Sequence, residues 1–299
     1  LDAKEKSKKK QEKVKIAPEL EAIIFLRGKK FKSFAESASG DTCADMSSFG
    51  ESKTEKLIAK QPAEWVLYNQ KQMSRIYPAG TRVDSSNYDP VPSWVAGNQI
   101  VALNYQTPGE QMHFNAGMFR DNGNCGYVAK PALLLGAEGY APSADAPVVQ
   151  TIHLTILSAA QLPKPEGELK GEVIDPYVVV EVRGVPADNF TGRTAKVDDN
   201  GFNPTFGEMF SIPLTQPELA VIYICVWDHD LTNPDDFIAQ SSVRATNLRQ
   251  GLRRVELRSN AGTSHGQFEF ASLCVKVASL KPKGARNLAA LRLGLGLGA

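Results

Sequence analysis

The stretch SRIYPAGTRVDSSNYDPVPSWVAGNQIVALNYQ, residues 74–106, decides the fold of the first half of the chain. Its two apolar ends predict short strands, QMSRIYP before the turn at Pro78 and NQIVALNYQ after a segment rich in turn-forming residues. The continuous IVAL core suits a parallel strand that is covered on both faces. Strands separated by loops and helices favour an α/β layout over an all-β one.

The residues upstream of this stretch extend the same pattern. EAIIFL predicts another short buried strand, because the apolar run is too short for an amphipathic helix. A polar loop rich in serine follows, and Glu51 to Lys60 is predicted to be helical. Residues 1–17 are rich in lysine, which indicates a solvated linker or, alternatively, a tether to an anionic membrane.

The composition changes after Leu135. GAEGYAPSADAP predicts a linker over residues 136–148. Eight short β-type runs with turn signals between them follow, a spacing typical of a β-sandwich. They are TIHLTIL, DPYVVVEVRG, RTAKV, MFSIPL, AVIYICVWD, FIAQSSV, RRVEL and FEFASLCVKV. In the first run Ile152, Leu154 and Ile156 alternate onto one face. Residues 281–299 are predicted to be a disordered tail or a weak basic amphipathic segment.

Composition narrows the range of functions. The net charge is +1, so no global field attracts nucleic acid, and no apolar run approaches the ~20 residues of a spanning helix. The lysine-rich start lacks the apolar core of a signal peptide, which favours the cytosol. The chain begins at Leu1, which suggests a piece of a longer protein.

Four cysteines without a CxxC pair are expected to be reduced, partly buried thiols: Cys43, Cys125, Cys225 and Cys274.

The first candidate site is a pair on the predicted strand around residue 75. Arg75 and Tyr77 are two residues apart, so their side chains point to the same side of a strand. Ser47 and Ser48 lie in the loop after the first strand. A guanidinium forks onto phosphate oxygens and an aromatic face packs on a ring, so the pair suits a phosphorylated ring. The alternative is a surface arginine capped by a tyrosine.

The second candidate site is a set of acidic turns in the β-rich half. Asp175 opens DPYVVVEV, Asp198 and Asp199 form a turn, and WDHDLTNPDDF places Asp228 and Asp230 two residues apart. Calcium prefers six to eight oxygen ligands, mostly carboxylates and carbonyls. A lone acidic loop is usually only solvated, whereas three such turns between sandwich strands indicate a calcium site.

Longer motifs add a resemblance to a known family. SRIYPAGTRVDSSNYDPVPSWVAGNQIVALNYQTPG and FRDNGNCGYVAKPALL resemble the Y region of eukaryotic phosphoinositide-specific phospholipase C, most closely its delta-like members. APELEAIIFLRGKKFKSF and MSSFGESK resemble the start of that region. The resemblance implies that residues 18–135 are the second half of a TIM-like (β/α) barrel. It also implies that Ser48, Arg75 and Tyr77 contact the inositol phosphates.

The motifs DPYV, NGFNPTF and WDHD…DDFIAQ resemble a C2 domain, and residues 149–280 are therefore expected to form a C2 β-sandwich of eight strands. The resemblance implies calcium as the cofactor. The ligands carried over are Asp175, Asp199, Asp228, Asp230, Asp236 and the carbonyl of Val173. The first loop, PKPEGELKGEV, lacks an early aspartate that many C2 domains have, so Glu168 or Glu172 is a candidate substitute. A calcium-free structural C2 domain is the alternative.

In the family, the inositol 2-hydroxyl attacks the adjacent phosphate, and the two histidines and catalytic calcium that assist belong to the X region, which precedes the Y region. None of this chain's histidines matches a catalytic position, and all are expected to be ordinary surface residues: His113, His153, His229 and His265. This portion is therefore expected to be inactive without an X half.

The resemblance implies a parent enzyme, peripheral at the plasma membrane, that hydrolyses phosphatidylinositol 4,5-bisphosphate to inositol 1,4,5-trisphosphate and diacylglycerol. The implied partners are phosphoinositide lipid, an anionic membrane surface and the X half of the barrel. One alternative is a non-catalytic, calcium-dependent phospholipid-binding module. A weaker alternative is a protein-interaction C2 domain with a degenerate barrel, against which the intact Ser48, Arg75 and Tyr77 argue.

Overall fold

A computed structural model describes residues 16–136, 146–165 and 173–280. Three predicted segments lie wholly or largely outside the described residues. They are the N-terminal linker, the centre of the linker at 136–148 and the tail. Within the described ranges, no helix combines the length and apolar character needed to cross a bilayer.

The first part of the chain alternates helices with short parallel strands. Its elements are α1 Pro18–Glu21, β1 Arg27–Gly28, α2 Phe34–Gly40, β2 Asp45–Gly50, α3 Glu51–Lys60, α4 Pro62–Lys71, β3 Met73–Tyr77, α5 Val91–Val95, β4 Ile100–Val101, α6 Glu110–Phe119 and the short turn α7 Asp121–Asn124. The strands pair in the order β1-β2-β3-β4, and every pairing is parallel. This is the predicted half of a β/α barrel.

One face of this sheet is packed and the other is open. Phe49 and Ile76 are buried against Trp65 of α4, with Tyr68 stacked on the Trp65 indole at 5.3 Å between ring centroids. Successive strand residues alternate between faces. The side chains between the buried positions, including Arg75, therefore point to the open face.

Two strand predictions in this half were wrong in extent. EAIIFL is not a buried strand: the helical turn α1, favoured by Pro18 and two acidic residues, ends at its first residue, Glu21, Ile23 is 78% exposed, and the first strand is Arg27–Gly28. The strand predicted over NQIVALNYQ is only Ile100–Val101, because β4 pairs with β3 alone and lies at the edge of the sheet. Helix α3 is as predicted.

The second part of the chain is an antiparallel sandwich of eight strands. They are β5 Gln150–Ala160, β6 Pro176–Arg183, β7 Phe190–Arg193, β8 Thr205–Leu214, β9 Val221–Asp228, β10 Asp236–Arg244, β11 Gly251–Glu256 and β12 Ser272–Leu280. Two sheets with the orders β10-β9-β6-β7 and β11-β12-β5-β8 enclose one apolar core. Ile152, Leu154 and Ile156 all belong to this core, as their alternation predicted.

Two predicted strands of the sandwich are displaced. RTAKV was predicted as a strand, but β7 ends at Arg193, because the Thr194 hydroxyl accepts the hydrogen bond of the Val178 N–H at 3.0 Å and ends the ladder. The last strand begins at Ser272, since a 3-10 turn occupies Gly266–Phe268.

The half-barrel and the sandwich share an apolar core through α6. Phe114 of α6 and Trp94 of α5 pack with Val221 and Tyr223 of β9 in one buried cluster. Asp121 pairs with Arg244 of β10 at 2.6 Å. The two domains therefore form a packed junction.

His113 corrects another expectation. It is 3% exposed, with Nδ1 3.1 Å from the Tyr223 hydroxyl and Nε2 2.8 Å from the carbonyl oxygen of Asn260. Burial at the junction lowers its pKa. It is thus an interdomain contact and not a surface histidine.

The cysteines are free thiols, but only Cys225 is buried, and Cys43, Cys125 and Cys274 are exposed.

Candidate functional site

The predicted anion-binding residues meet on the open face of the half-barrel. In the parallel ladder between β2 and β3, Ser48 is the register partner of Arg75, and Gly50 is the partner of Tyr77. The prediction that Ser47 and Ser48 lie in a loop was wrong, because both belong to β2 and pair with β3. The neighbouring side chains Ser47 and Ser74 are buried on the other face. The structure therefore brings Ser48, Arg75 and Tyr77 together near the carboxyl ends of two adjacent strands, where functional loops of β/α barrels lie.

Arg75 and Tyr77 contact each other. The guanidinium carbon of Arg75 lies 5.5 Å from the centroid of the Tyr77 ring, within the range of a cation–π interaction. Among the described residues, no hydrogen bond or ion pair engages the Arg75 guanidinium. Both side chains are exposed, so the donors of Arg75 are available to a ligand.

Two structural features lie next to the Arg75–Tyr77 pair. The ring of Tyr77 lies over Gly50, where an added Cβ would be 3.8 Å from the ring. In the loop after β3, Arg82 donates to both carboxylate oxygens of Glu51, at 2.9 and 3.1 Å, and to Ser86 at 3.1 Å. Both bonds to Glu51 come from Nε, and this bifurcated, charge-assisted contact ties the loop to the first residue of α3.

Tyr88 is a residue near this site that the sequence did not single out. It is 5% exposed, and its hydroxyl has no hydrogen-bond partner among the described residues. Burial raises its pKa, and so does the charge of Glu51, while Arg75 acts in the opposite direction. Arg75 is thus close enough to influence a buried, unsatisfied hydroxyl. No motif in the sequence distinguishes this tyrosine from a core residue.

The predicted calcium ligands cluster at one end of the sandwich. The backbone N–H of Asp175 donates to Asp228 Oδ1 at 2.6 Å, and the N–H of Asp199 donates to Asp175 Oδ1 at 2.8 Å. Asp236 is the register partner of Asp228 across β9 and β10. Val173 is 50% exposed just before this group.

The charges of this cluster act on one another. Burial raises the pKa of Asp228, and the negative charges of Asp230, Asp175 and Asp236 raise it further, against the hydrogen bond from the Asp175 N–H. Three of the other four predicted carboxylate ligands therefore lie within electrostatic reach of Asp228.

Asp235 has a structural part in these loops that the sequence did not reveal. Its carboxylate accepts hydrogen bonds from the Tyr177 hydroxyl at 2.7 Å and from the N–H of Asp230 at 3.1 Å, and it contacts His229 Nδ1 at 3.1 Å. These contacts lower the pKa of Asp235. The loop after β9 is thus held by Asp235, which leaves Asp236 as the candidate ligand.

The donor chemistry of the cluster fits calcium, but its carboxylates are not gathered into a coordination shell. Within the described ranges, no three acidic, histidine or cysteine side chains are arranged to hold a metal ion. Lys196 contributes a positive charge instead: it pairs with Asp175 at 2.8 Å and with Asp198, and its hydrogen bond lowers the pKa of Asp175. Glu168 and Glu172 lie outside the described residues.

Comparisons with known proteins follow the same division of the chain. Residues 20–133 match the model of the phosphatidylinositol-specific phospholipase C Y domain, and residues 150–259 match the C2 domain. The crystal structure of L. pealei PLC21 superposes with a TM-score of 0.79 and 31% identity, covering 90% of this chain and 34% of that one.

Two curated relatives carry the same enzyme name. The 1-phosphatidylinositol 4,5-bisphosphate phosphodiesterase delta-1 of Rattus norvegicus is 40% identical over 278 residues, which are 91% of this chain and 36% of the relative. The 1-phosphatidylinositol 4,5-bisphosphate phosphodiesterase of Dictyostelium discoideum is 41% identical over 264 residues, 85% of this chain and 32% of the relative. The chain spans about a third of the length of these relatives.

Half a β/α barrel joined to a C2 sandwich is the architecture of a phospholipase C from its Y region onward. The chain belongs to the phosphoinositide-specific phospholipase C family and comprises its Y region and C2 domain, with similarity to delta members. The family recognised from the sequence motifs is confirmed.

Proposed function

We propose that this chain is the substrate-selecting and membrane-docking part of a phosphoinositide phospholipase C. In this proposal the parent enzyme hydrolyses phosphatidylinositol 4,5-bisphosphate to inositol 1,4,5-trisphosphate and diacylglycerol at the plasma membrane. Relatives that are about 40% identical to the chain over the 278 aligned residues are named as phosphodiesterases of that lipid. The reaction itself is assigned to an X half that pairs with the open barrel.

The observation that carries the proposal is the exposed Arg75 beside Tyr77 and Ser48. An arginine with no ion pair among the described residues, placed near the ends of two parallel strands, offers a planar fork of donors to phosphate oxygens. The Tyr77 ring limits the movement of the Arg75 guanidinium on one side. Such a group favours phosphorylated inositol rings over the unphosphorylated ring.

The C2 domain is proposed to dock the enzyme on anionic lipid in the presence of calcium. Asp175, Asp199, Asp228, Asp230 and Asp236, with the carbonyl of Val173, are the proposed ligands. These carboxylates repel an anionic membrane, and bound calcium would remove that repulsion. Leu231, which is 90% exposed beside them, offers an apolar contact to the lipid, and each nearby basic residue adds about 1 kcal/mol at an anionic surface.

The test is reconstitution from two polypeptides. The chain is mixed or co-expressed with the X half of the rat delta-1 relative, and inositol phosphate release from phosphatidylinositol 4,5-bisphosphate is measured. Turnover is expected from the pair and from neither half alone. Clear turnover by this chain alone would contradict the assignment of the chemistry to the X half.

The same assay separates the alternative of a non-catalytic, calcium-dependent phospholipid-binding module. Such a module binds vesicles but restores no turnover when the X half is supplied. Arg254→Ala, which removes an exposed arginine on the C2 edge strand β11, is the matched control for variants at Arg75.

A further inference from the structure

A cleft of about 1150 Å³ lies where the half-barrel meets the C2 domain. Its walls come from β4, from the end of α6 and the segment after it, and from the C2 residues Glu218, Leu219, Arg258 and Gly262. Neither Arg75 nor Tyr77 lines the cleft, and none of the proposed calcium ligands does. It is therefore separate from both sites described above.

Most of the charged side chains that line this cleft are positive. Arg120, Lys130 and Arg258 line it, and Glu218 is the sole carboxylate among the described lining residues. Arg120 is partly buried, and within the described part of the chain its guanidinium has no hydrogen bond or ion pair. A half-buried guanidinium that forms no ion pair is unfavourable, since burial penalises its charge.

Arg258 also has an unused donor. Its Nη1 donates to the carbonyl of Gly262 at 3.2 Å and its Nη2 to Glu256 at 3.0 Å. Its Nε is buried and has no partner among the described residues. A buried donor without an acceptor is unfavourable, so native proteins rarely leave one unless a ligand or water completes it.

Arg120 and Arg258 line the same cleft, and the segments that carry them are each anchored. The N–H groups and carbonyls of Arg258 and Gln240 pair reciprocally at 2.9 Å, while Asp121, the neighbour of Arg120, is fixed by Arg244. Burial lowers the pKa of Arg120, and the positive charge of Arg258 lowers it further, partly offset by Glu256. The packed junction therefore keeps two like charges in proximity.

We propose that this cleft binds an organic phosphate, with Arg120 and Arg258 on the phosphate oxygens and the carbon body against the apolar wall. Guanidinium forks match the oxygens of a phosphomonoester. Trp94 and Phe119 line the same cleft, with their rings in edge contact at 6.0 Å. The volume exceeds what a bare phosphate fills, which favours a ligand with an apolar or aromatic body.

The test uses the whole chain carrying Arg75→Ala, so that binding at the proposed substrate residues does not contribute. Isothermal titration calorimetry measures 1-naphthyl phosphate, with 1-naphthol and inorganic phosphate for comparison. Binding is expected to be tightest for 1-naphthyl phosphate. Arg120→Gln and Arg258→Gln should each weaken it about tenfold or more, the loss expected for a charge-assisted hydrogen bond.

Arg258→Lys, which keeps the charge but loses the fork, should give an intermediate affinity, and Arg254→Gln, at a residue that does not line the cleft, should change nothing. Circular dichroism checks that each variant is folded. Vesicles containing phosphatidic acid distinguish a lipid source: lipid that competes with 1-naphthyl phosphate reaches the same cleft. Absence of 1-naphthyl phosphate binding, or equal affinity in the glutamine variants and the Arg254 control, would overturn the proposal.

Discussion

The side chain of Ser242, on β10 of the C2 domain, donates a hydrogen bond of 2.5 Å to the backbone carbonyl of His113 in α6 of the half-barrel. A side chain from one domain thus bonds to the main chain of a helix in the other. Together with the His113 contacts to Tyr223 and Asn260, it makes the junction polar as well as apolar. The junction therefore depends on the close approach of α6 to β10.

Gly117 should be intolerant of a side chain for this reason. A Cβ at this position would lie 2.5 Å from the Ser242 hydroxyl oxygen and 3.0 Å from the Ser242 backbone. We expect Gly117→Ala to lower the free energy of unfolding by about 1–3 kcal/mol, the usual cost of overpacking. Urea denaturation measures it. Gly40→Ala, where an added Cβ meets nothing within 4 Å, is the control, and equal effects of the two would contradict this account.

Arg75 should discriminate between lipids by their phosphates. In an enzyme with both barrel halves, we expect Arg75→Ala to lower turnover of phosphatidylinositol 4,5-bisphosphate by roughly tenfold to a hundredfold, because a charge-assisted hydrogen bond contributes about 1.5–3 kcal/mol. Turnover of plain phosphatidylinositol should fall less. Kinetics on both lipids, with Arg254→Ala alongside, provide the measurement. Equal losses on the two lipids would show that Arg75 is structural.

The acidic loops should make membrane binding depend on calcium. We expect the chain to sediment with anionic vesicles in calcium and to be released by a chelator. Asp228→Asn with Asp230→Asn should abolish the calcium effect while the sandwich stays folded, since loop residues contribute little to the core. Asp84→Asn with Glu55→Gln removes the same two charges from the half-barrel and is the matched control. Calcium-independent binding that survives the loop variant would refute the calcium site.

Because of Lys130, the free energy of unfolding should depend on pH in the alkaline range. Its ammonium group is bonded to the carbonyl of Asn69 at the end of α4, and burial lowers its pKa to about 8 from the ordinary 10.5. Between these values the unfolded chain binds more protons than the folded chain, so the free energy of unfolding should rise with pH. Allowing for partial exposure, the rise due to Lys130 is about 1–2 kcal/mol.

Lys130→Met should remove that rise, as followed by urea unfolding from below pH 8 to about 10.5. Lys56→Met, at an exposed position of α3, is the control and should keep the wild-type dependence. Parallel pH profiles for Lys130→Met and wild type would mean that Lys130 titrates alike in both states.

The elements that the sequence predicted well are those with strong local patterns. The alternation of Ile152, Leu154 and Ile156 and the helix at Glu51–Lys60 follow from local periodicity, and the structure has both. The side of β3 on which Arg75 and Tyr77 lie follows from the two-residue period of a strand. Their binding role stays a prediction.

The elements that the sequence could not predict depend on distant partners. EAIIFL is apolar enough for a strand, but α1 and the edge position of β1 displaced the strand to Arg27–Gly28. His113 has no local signal of burial, because Tyr223 and Asn260 lie more than a hundred residues away along the chain. Arg120 and Arg258 likewise meet only through the domain junction.

The two-residue strands β1 and β4 at the edges of the half-barrel affect how copies of this chain would associate. An edge strand recruits other chains through its unpaired N–H and C=O groups, and a strand this short offers few of them. Growth of an intermolecular sheet from the edges of the half-barrel is therefore disfavoured. Contacts between exposed side chains such as Ile23 and Phe25 remain. Self-association through the half-barrel should accordingly resemble reversible, detergent-sensitive clustering more than fibril formation.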